Sequence, residues 1–279
     1  MSLFLHEQGI AGLEIQGEEE EPCLVAYFPG DDALTPFERR LKSYLLALEE
    51  LHGSPVDLGL RVDRVKTEAW NEAWKSHFHA SRVSARLVVK PTWEALDPPA
   101  GAHILEIDPG QAFGTGLHAT TRLCLQWLDE LLGEVRTPSR LILRALDVGT
   151  GTGILAIAMA RLGVSEVWAL DIDPLAVEAA GGNARRNGVG DKVRVLEGSL
   201  DRLMGRTFPL IVANLTGTSL RTMAEPLCGC VAPRGRLLLS GILAEERAQV
   251  LEAFAGEGLE MRGERSDEEW RAVLLRREG

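Results

Sequence analysis

The sequence predicts an α/β protein: a doubly wound, mostly parallel sheet with helices on both faces, preceded by a small α+β unit. Three observations predict it. From about residue 82 onward, apolar runs of strand length alternate with stretches whose apolar residues recur at helical spacing. At one strand–helix junction, Leu146-Asp147-Val148-Gly149-Thr150-Gly151-Thr152-Gly153, three glycines alternate with threonines, as a tight turn close to a ligand requires. The charge is also uneven: residues 1–66 hold 13 acidic and 6 basic side chains, a balance of −7, against 28 and 24 in residues 67–279.

The elements follow in order. The first unit, 1–66, reads as a short helix at 2–8, a strand at 11–16, an acidic turn of four glutamates at 18–21 and a strand at 23–28. A helix at 35–51 comes next, with Leu41, Leu45 and Leu48 at helical spacing and Gly53-Ser54-Pro55 as its stop, then a strand at 60–65. Residues 67–80 form an amphipathic linker helix, with Trp70 and Trp74 one turn apart on one face. In the main domain, 81–279, strands are expected at 86–89, 104–107, 141–148, 167–171, 193–197, 210–214, 236–240 and 272–275. Helices are expected at 118–132, 153–162, 174–187, 217–230 and 244–256. The helix at 174 has the clearest start, with Asp173 as N-cap and Pro174 in its first position.

A length of 279 residues, 45% hydrophobic and 25% charged, suits one large domain plus a small one with an ordinary soluble core. The net charge of −11 repels phosphate backbones, which argues against direct nucleic-acid binding. No apolar run approaches the roughly 18–20 residues that cross a bilayer, and the start lacks the basic flank of a leader, so a cytoplasmic monomer is expected. Cys23, Cys124, Cys228 and Cys230 form neither a disulfide framework nor a ligand set, and His77 and His79 have no companions, so no metal is expected. The acidic first unit is either a solvated face or a surface that meets a basic partner.

The glycine turn and Asp171, about 20 residues further on at a strand end, make a nucleoside-cofactor pocket, because a carboxylate there can accept hydrogen bonds from both ribose hydroxyls. Gly149 and Gly151 would let the ligand lie against the backbone. Gly151-Thr152-Gly153-Ile154-Leu155-Ala156 also satisfies the relaxed dinucleotide fingerprint, so a nicotinamide-dependent oxidoreductase stays open at this point. Two features favour a positively charged cofactor such as S-adenosylmethionine: Asp147, two residues before the first glycine, and Asn214, which ends the strand across the switch point and projects into the same crevice. Asp147 has a second reading, as a carboxylate that braces the loop.

A longer stretch narrows the function: Glu106-Ile107-Asp108-Pro109-Gly110-Gln111-Ala112-Phe113-Gly114-Thr115-Gly116-Leu117-His118-Ala119-Thr120-Thr121. With the connector Trp70–His79, the segment Leu87-Val88-Val89-Lys90-Pro91-Thr92-Trp93-Glu94 and Ser240-Gly241-Ile242-Leu243, it resembles the PrmA family, bacterial class I S-adenosylmethionine-dependent methyltransferases acting on ribosomal protein eleven of the large subunit. The resemblance is close over 67–279 and looser before it. It implies a seven-stranded Rossmann-like sheet, a substrate-recognition role for the first unit, and methyl transfer to lysine side chains or the N-terminal α-amine. It also implies that Thr121, Gly149, Asp171 and Asn214 contact S-adenosylmethionine, with Phe113, Thr115 and Gly116 closing over its methionine end. Asn214 is the expected catalytic residue. Departures from the family pattern are Asn214-Leu215-Thr216 for Asn-Ile-Leu, His118-Ala119-Thr120-Thr121 for His-Pro-Thr-Thr, and an additional strand that family members carry before the opening helix. A methyltransferase for another protein or small-molecule amine, and a cofactor-binding module without turnover, are the other readings the residues allow.

Overall fold

The computed structural model describes residues 12–16, 23–27, 37, 41, 78–97, 100–108, 116, 118–133 and 143–278. Contacts divide the chain into two units, Met1–Lys66 and Thr67–Gly279. In the first, β1 (Gly12–Gln16) pairs antiparallel with β2 (Cys23–Tyr27), with Gly12 opposite Tyr27 and Gln16 opposite Cys23. Phe37 and Leu41 are helical and buried, one turn apart on the same face. The expected helix at 2–8, the rest of that at 35–51, the strand at 60–65 and the linker helix at 67–77 lie outside the described residues. Phe78–Ala80 are irregular rather than helical, and Phe78 is buried in the core of the second unit.

Among the described residues, the first elements of the second unit are a three-stranded sheet of β3 (Ser81–Arg82), β4 (Leu87–Pro91) and β5 (His103–Ile107), in which β4 runs antiparallel to β3 and parallel to β5. The sequence places the strands at 86–89 and 104–107 correctly but not their partners, since both stay outside the main sheet. The next elements are α1 (Ala119–Gly133), β6 (Arg144–Val148), α2 (Ile154–Arg161), β7 (Glu166–Asp171), α3 (Pro174–Arg186), β8 (Val193–Glu197) and β9 (Phe208–Asn214). After them come α4 (Gly217–Thr222), α5 (Ala224–Gly229), β10 (Val231–Leu243), α6 (Arg247–Phe254), β11 (Leu259–Asp267) and β12 (Trp270–Arg277).

Among the described residues, seven strands form the main sheet in the order β11-β12-β10-β9-β6-β7-β8. β10, β9, β6, β7 and β8 are mutually parallel, and β12 runs antiparallel to both β10 and β11. A parallel sheet covered on both faces needs strands that are apolar throughout, and Leu210-Ile211-Val212-Ala213 and Leu237-Leu238-Leu239 are wholly buried. The period of two sorts them: Leu210, Val212 and Leu238 join a layer with Leu125 and Leu128 of α1 and Ile157 and Met159 of α2. Ile211, Leu237 and Leu239 face Leu220 of α4, Leu227 of α5, and Val250 and Phe254 of α6.

Other differences from the sequence reading have local causes. The helix expected at 217–230 is two short ones, and Pro226, early in α5, has no N–H for the Thr222 carbonyl that a continuous helix would require. β11 shows little apolar patterning because it is an edge strand rich in charge. It is held to α1 by non-local contacts: Arg265 stacks 4.4 Å over the Trp127 ring, and Arg122 pairs with Asp267 at 2.5 Å. Asp173 caps α3 through the Leu175 N–H at 2.9 Å, as expected. Among the described residues no helix is long and apolar enough to cross a membrane.

Candidate active site at the carboxyl ends of the strands

Between β6 and α2 the chain turns through three left-handed glycines, Gly149 (φ +70), Gly151 (φ +54) and Gly153 (φ +83). Hydrogen bonds hold the turn from several sides. The Gly149 and Thr150 N–H groups both donate to the Leu170 carbonyl, at 2.8 and 3.1 Å, and Gly153 N–H donates to Thr150 at 2.9 Å. Gly151 N–H donates to Asp171 Oδ2 at 2.9 Å. Two neighbours crowd the turn beyond the dihedral angle: a Cβ on Gly153 would lie 3.0 Å from Ala180 Cα, and one on Gly149 would displace the end of the Leu215 side chain.

The two acids of this site are placed differently. Asp171, at the end of β7, is partly exposed; besides Gly151 N–H it accepts the Asp173 N–H on Oδ1 at 3.1 Å. A carboxylate has about four acceptor positions, so each oxygen keeps one for a hydroxyl in the crevice. Asp147 is completely buried beneath the turn, where Oδ2 accepts Thr150 Oγ–H at 2.7 Å and Ala156 N–H at 3.1 Å. Of the two readings of this residue, its hydrogen bonds are those of the loop brace. Oδ1 is buried without a hydrogen-bond partner, and burial pushes the carboxyl up to about 7 against the bonds from Thr150 and Ala156.

A pH dependence follows. The folded chain binds the Asp147 proton more tightly than the unfolded chain, whose aspartates titrate near the ordinary 3.8. Stability is therefore lost as pH rises from about 4 to about 7 and is flat above. Asp147→Asn offers an N–H₂ where the unpartnered oxygen lies and removes the titration. Melting temperatures measured between pH 4 and 9 should show the native chain losing ground to this variant with rising pH. A constant difference between the two would assign the proton elsewhere.

Across the switch point, Asn214 ends β9, and its Nδ2 donates to Thr121 Oγ1 at 3.4 Å. Thr121 is fully buried in the first turn of α1. Ser240 Oγ donates to the Thr120 carbonyl at 3.0 Å and the Ser240 carbonyl accepts Leu215 N–H at 3.0 Å, so the start of α1 and the ends of β9 and β10 form one unit. Gly241 (φ +83) leaves room for it: a Cβ there would strike the Leu215 carbonyl and come within 3.2 Å of Asn214 Oδ1. Thr216 accepts Ser219 N–H at 3.3 Å and caps α4, a task leucine at this position could not perform.

His118 shares a 2.8 Å hydrogen bond with Thr120 Oγ1 and stands edge-on to Trp270 at 5.0 Å. Burial and the nearby Arg122 hold it below the usual histidine range, hence neutral at pH 7. Gly116 (φ +84) wedges between β4 and α2, since its Cβ would lie 2.9 Å from Val89 Cγ1 and 2.8 Å from Ile154 Cδ1. Phe113 and Thr115 lie outside the described residues. Of the sequence-predicted residues, Gly149, Gly151 and Asp171 meet on one side of the switch point and Asn214 and Thr121 on the other, with Leu215 against Gly149 joining the two. Sequence reasoning missed the cradle that Gly241 provides, although Ser240-Gly241-Ile242-Leu243 stood out as a motif. Among the described residues no group of His, Cys, Asp or Glu could hold a metal ion.

A dinucleotide-binding sheet has the order 3-2-1-4-5-6, whereas here the antiparallel β12 is wedged between β10 and β11; the sheet has the seven strands that the resemblance implies, and the fold is that of a class I methyltransferase. Proteins of similar sequence agree with a methyltransferase rather than an oxidoreductase. The chain belongs to the ribosomal protein L11 methyltransferase (PrmA) family, whose model matches residues 4–278. It is 41% identical over 259 residues to the ribosomal protein L11 methyltransferase of Syntrophotalea carbinolica, covering 93% of this chain and 83% of that one. It is 45% identical over 218 residues to the Geobacter sulfurreducens protein of that name, covering 78% and 69%. Among solved structures, the ribosomal protein L11 methylase of Lactobacillus delbrueckii subsp. bulgaricus superimposes with a TM-score of 0.65 at 30% identity, over 72% of this chain and all of that one.

Proposed function

We propose that this protein transfers methyl groups from S-adenosylmethionine to amino groups, lysine side chains or the N-terminal α-amine, of ribosomal protein L11. The observation that carries the reading is the placement of the glycine turn and Asn214 at the carboxyl ends of adjacent parallel strands, within a chain of this family. The residues present fit the cofactor: left-handed glycines leave backbone open to close approach, and Asp171 keeps acceptor positions for ribose hydroxyls. When bound, S-adenosylmethionine supplies a methyl group already activated on a sulfonium.

The chain then has to align and dry the reacting amine rather than activate the methyl. With Nδ2 of Asn214 directed to Thr121, its Oδ1 is the acceptor left for the N–H of an incoming amine, whose lone pair is thereby turned toward the methyl. A lysine amine must arrive neutral, against a solution pKa of about 10.4; burial beside a cation favours the loss of its proton.

The reading is tested by incubating the purified enzyme with S-adenosylmethionine and intact ribosomal protein L11, then measuring the mass of L11 and mapping the modified residues. Methyl increments on amines are expected; an unmodified substrate would overturn it. The first unit, with its balance of −7, is read as the surface that captures this protein. Ribosomal proteins are commonly basic, so capture should be electrostatically steered and salt-sensitive. Replacing the four glutamates at 18–21 by glutamine should raise KM for L11 by about 2- to 10-fold at low ionic strength, leave kcat unchanged and lose its effect at high salt. An equal effect at all salt concentrations would mean that these glutamates do not steer the substrate.

A further inference from the structure

One face of α3 ties two other elements together. Ala180, Asn183, Ala184 and the C-cap Asn187 recur at intervals of three and four, and all are buried. Ala180 permits close approach to the glycine turn at Gly153. The asparagines act as a substitute strand. Asn187 Oδ1 accepts Glu106 N–H at 2.9 Å and its Nδ2 donates to the Glu106 carbonyl at 2.7 Å. One turn earlier, Asn183 repeats the exchange with Asp108, at 2.9 Å in each direction. Residues 106 and 108 present their backbone groups on the same edge, so two side-chain amides take the place of a neighbouring strand there.

The two asparagines differ in what else they hold. Asn187 uses its second donor within its own helix, on the Asn183 carbonyl at 2.9 Å. Asn183 directs its second donor to the Thr152 carbonyl in the glycine turn, at 2.9 Å, and its oxygen also accepts Arg186 Nη1–H at 3.0 Å. All four hydrogen-bonding positions of a side chain only 1% exposed are therefore used, on β5's end, the turn and α3 itself.

We propose that Asn183 is a positioning residue for cofactor binding: its amide holds the glycine turn at Thr152 in fixed register with the end of β5. The proposal rests on the cofactor reading above. Leu170, Asp147 and Asp171 restrain the turn from the sheet side; Asn183 restrains it from the helix side, where it also fixes the residue at which β5 ends. Cofactor affinity should then depend on the Asn183 donor. Asn187, which anchors the same strand without touching the turn, supplies the comparison.

The test uses the full chain and the variants Asn183→Asp, Asn183→Ala and Asn187→Ala. Asn183→Asp keeps an acceptor for Asp108 N–H and Arg186 but removes both donors. Calorimetric titration with S-adenosylmethionine, hydrogen exchange of the 149–153 amides in ligand-free protein, and melting temperature are measured for each. Both Asn183 variants are expected to raise the cofactor Kd about tenfold, the effect of one lost buried hydrogen bond, and to speed exchange in the turn by a similar factor. Asn187→Ala should lower the melting temperature yet leave Kd and exchange within about twofold of native. Native affinity and exchange in Asn183→Asp would overturn the proposal. So would an equal loss of affinity in Asn187→Ala, which would assign the effect to general loosening of α3. A native chain that fails to bind S-adenosylmethionine would instead overturn the cofactor reading and, with it, the proposal.

Discussion

Asn214→Ala is expected to lower turnover at saturating S-adenosylmethionine by about 10²-fold, the loss that a misplaced reacting group produces, while the cofactor Kd changes by less than about threefold. The reason lies in how the side chain is held. Its amide nitrogen is directed to Thr121 on α1, and Gly241 leaves space beside its oxygen. The oxygen is thus presented in one orientation, and removing it leaves the amine without the acceptor that aims its lone pair. Single-turnover kinetics with pre-bound cofactor, read beside calorimetric titration, separates the two quantities. Equal losses in turnover and affinity would reduce Asn214 to a cofactor contact; turnover near the native value would end the orienting role.

Asp171→Ala should weaken S-adenosylmethionine binding by about 1.5–3 kcal/mol, the scale of hydrogen bonds to a charged acceptor, or about 10- to 150-fold in Kd. Two effects act together. The ribose hydroxyls lose their acceptor, and the Gly151 and Asp173 N–H groups, bound to Oδ2 and Oδ1, lose theirs. The turn is still held by the Leu170 carbonyl and by Asp147, so the fold should survive. Calorimetry together with the melting temperature tests both points. Unchanged affinity would remove Asp171 from the site, and a collapsed melting curve would make it a fold residue first.

How much could be read from the chain differs from residue to residue. The glycine turn was legible because everything it needs is contiguous: an apolar strand, glycines able to take positive φ, and an apolar helix. Asp171 and Asn214 were legible because parallel α/β strands deliver their last residues to one crevice. Asp147 was legible as an acid at the turn but not as to its place, since two residues of spacing do not say whether a carboxyl faces the crevice or lies beneath the turn. Asn183 gave no signal at all. Within α3 it reads as one polar position among several, and its partners lie 75 residues away at Asp108 and 31 away at Thr152.

The sequence by itself determined the fold class, the strands of the parallel core, the start of α3 and the family, because each rests on local periodicity, a local turn or an ordered string of motifs. Only the tertiary structure decided that β4 and β5 form a separate sheet, that β12 inserts before β11, and that Asp147 is fully buried. It alone decided that Leu215 closes against Gly149 with its carbonyl at Gly241. The physical reason is common to all of these. An apolar run specifies that a strand will be buried and which side chains alternate, but its backbone N–H and C=O groups are the same on every strand. Which strand, or which asparagine, satisfies them is settled only when the whole chain packs.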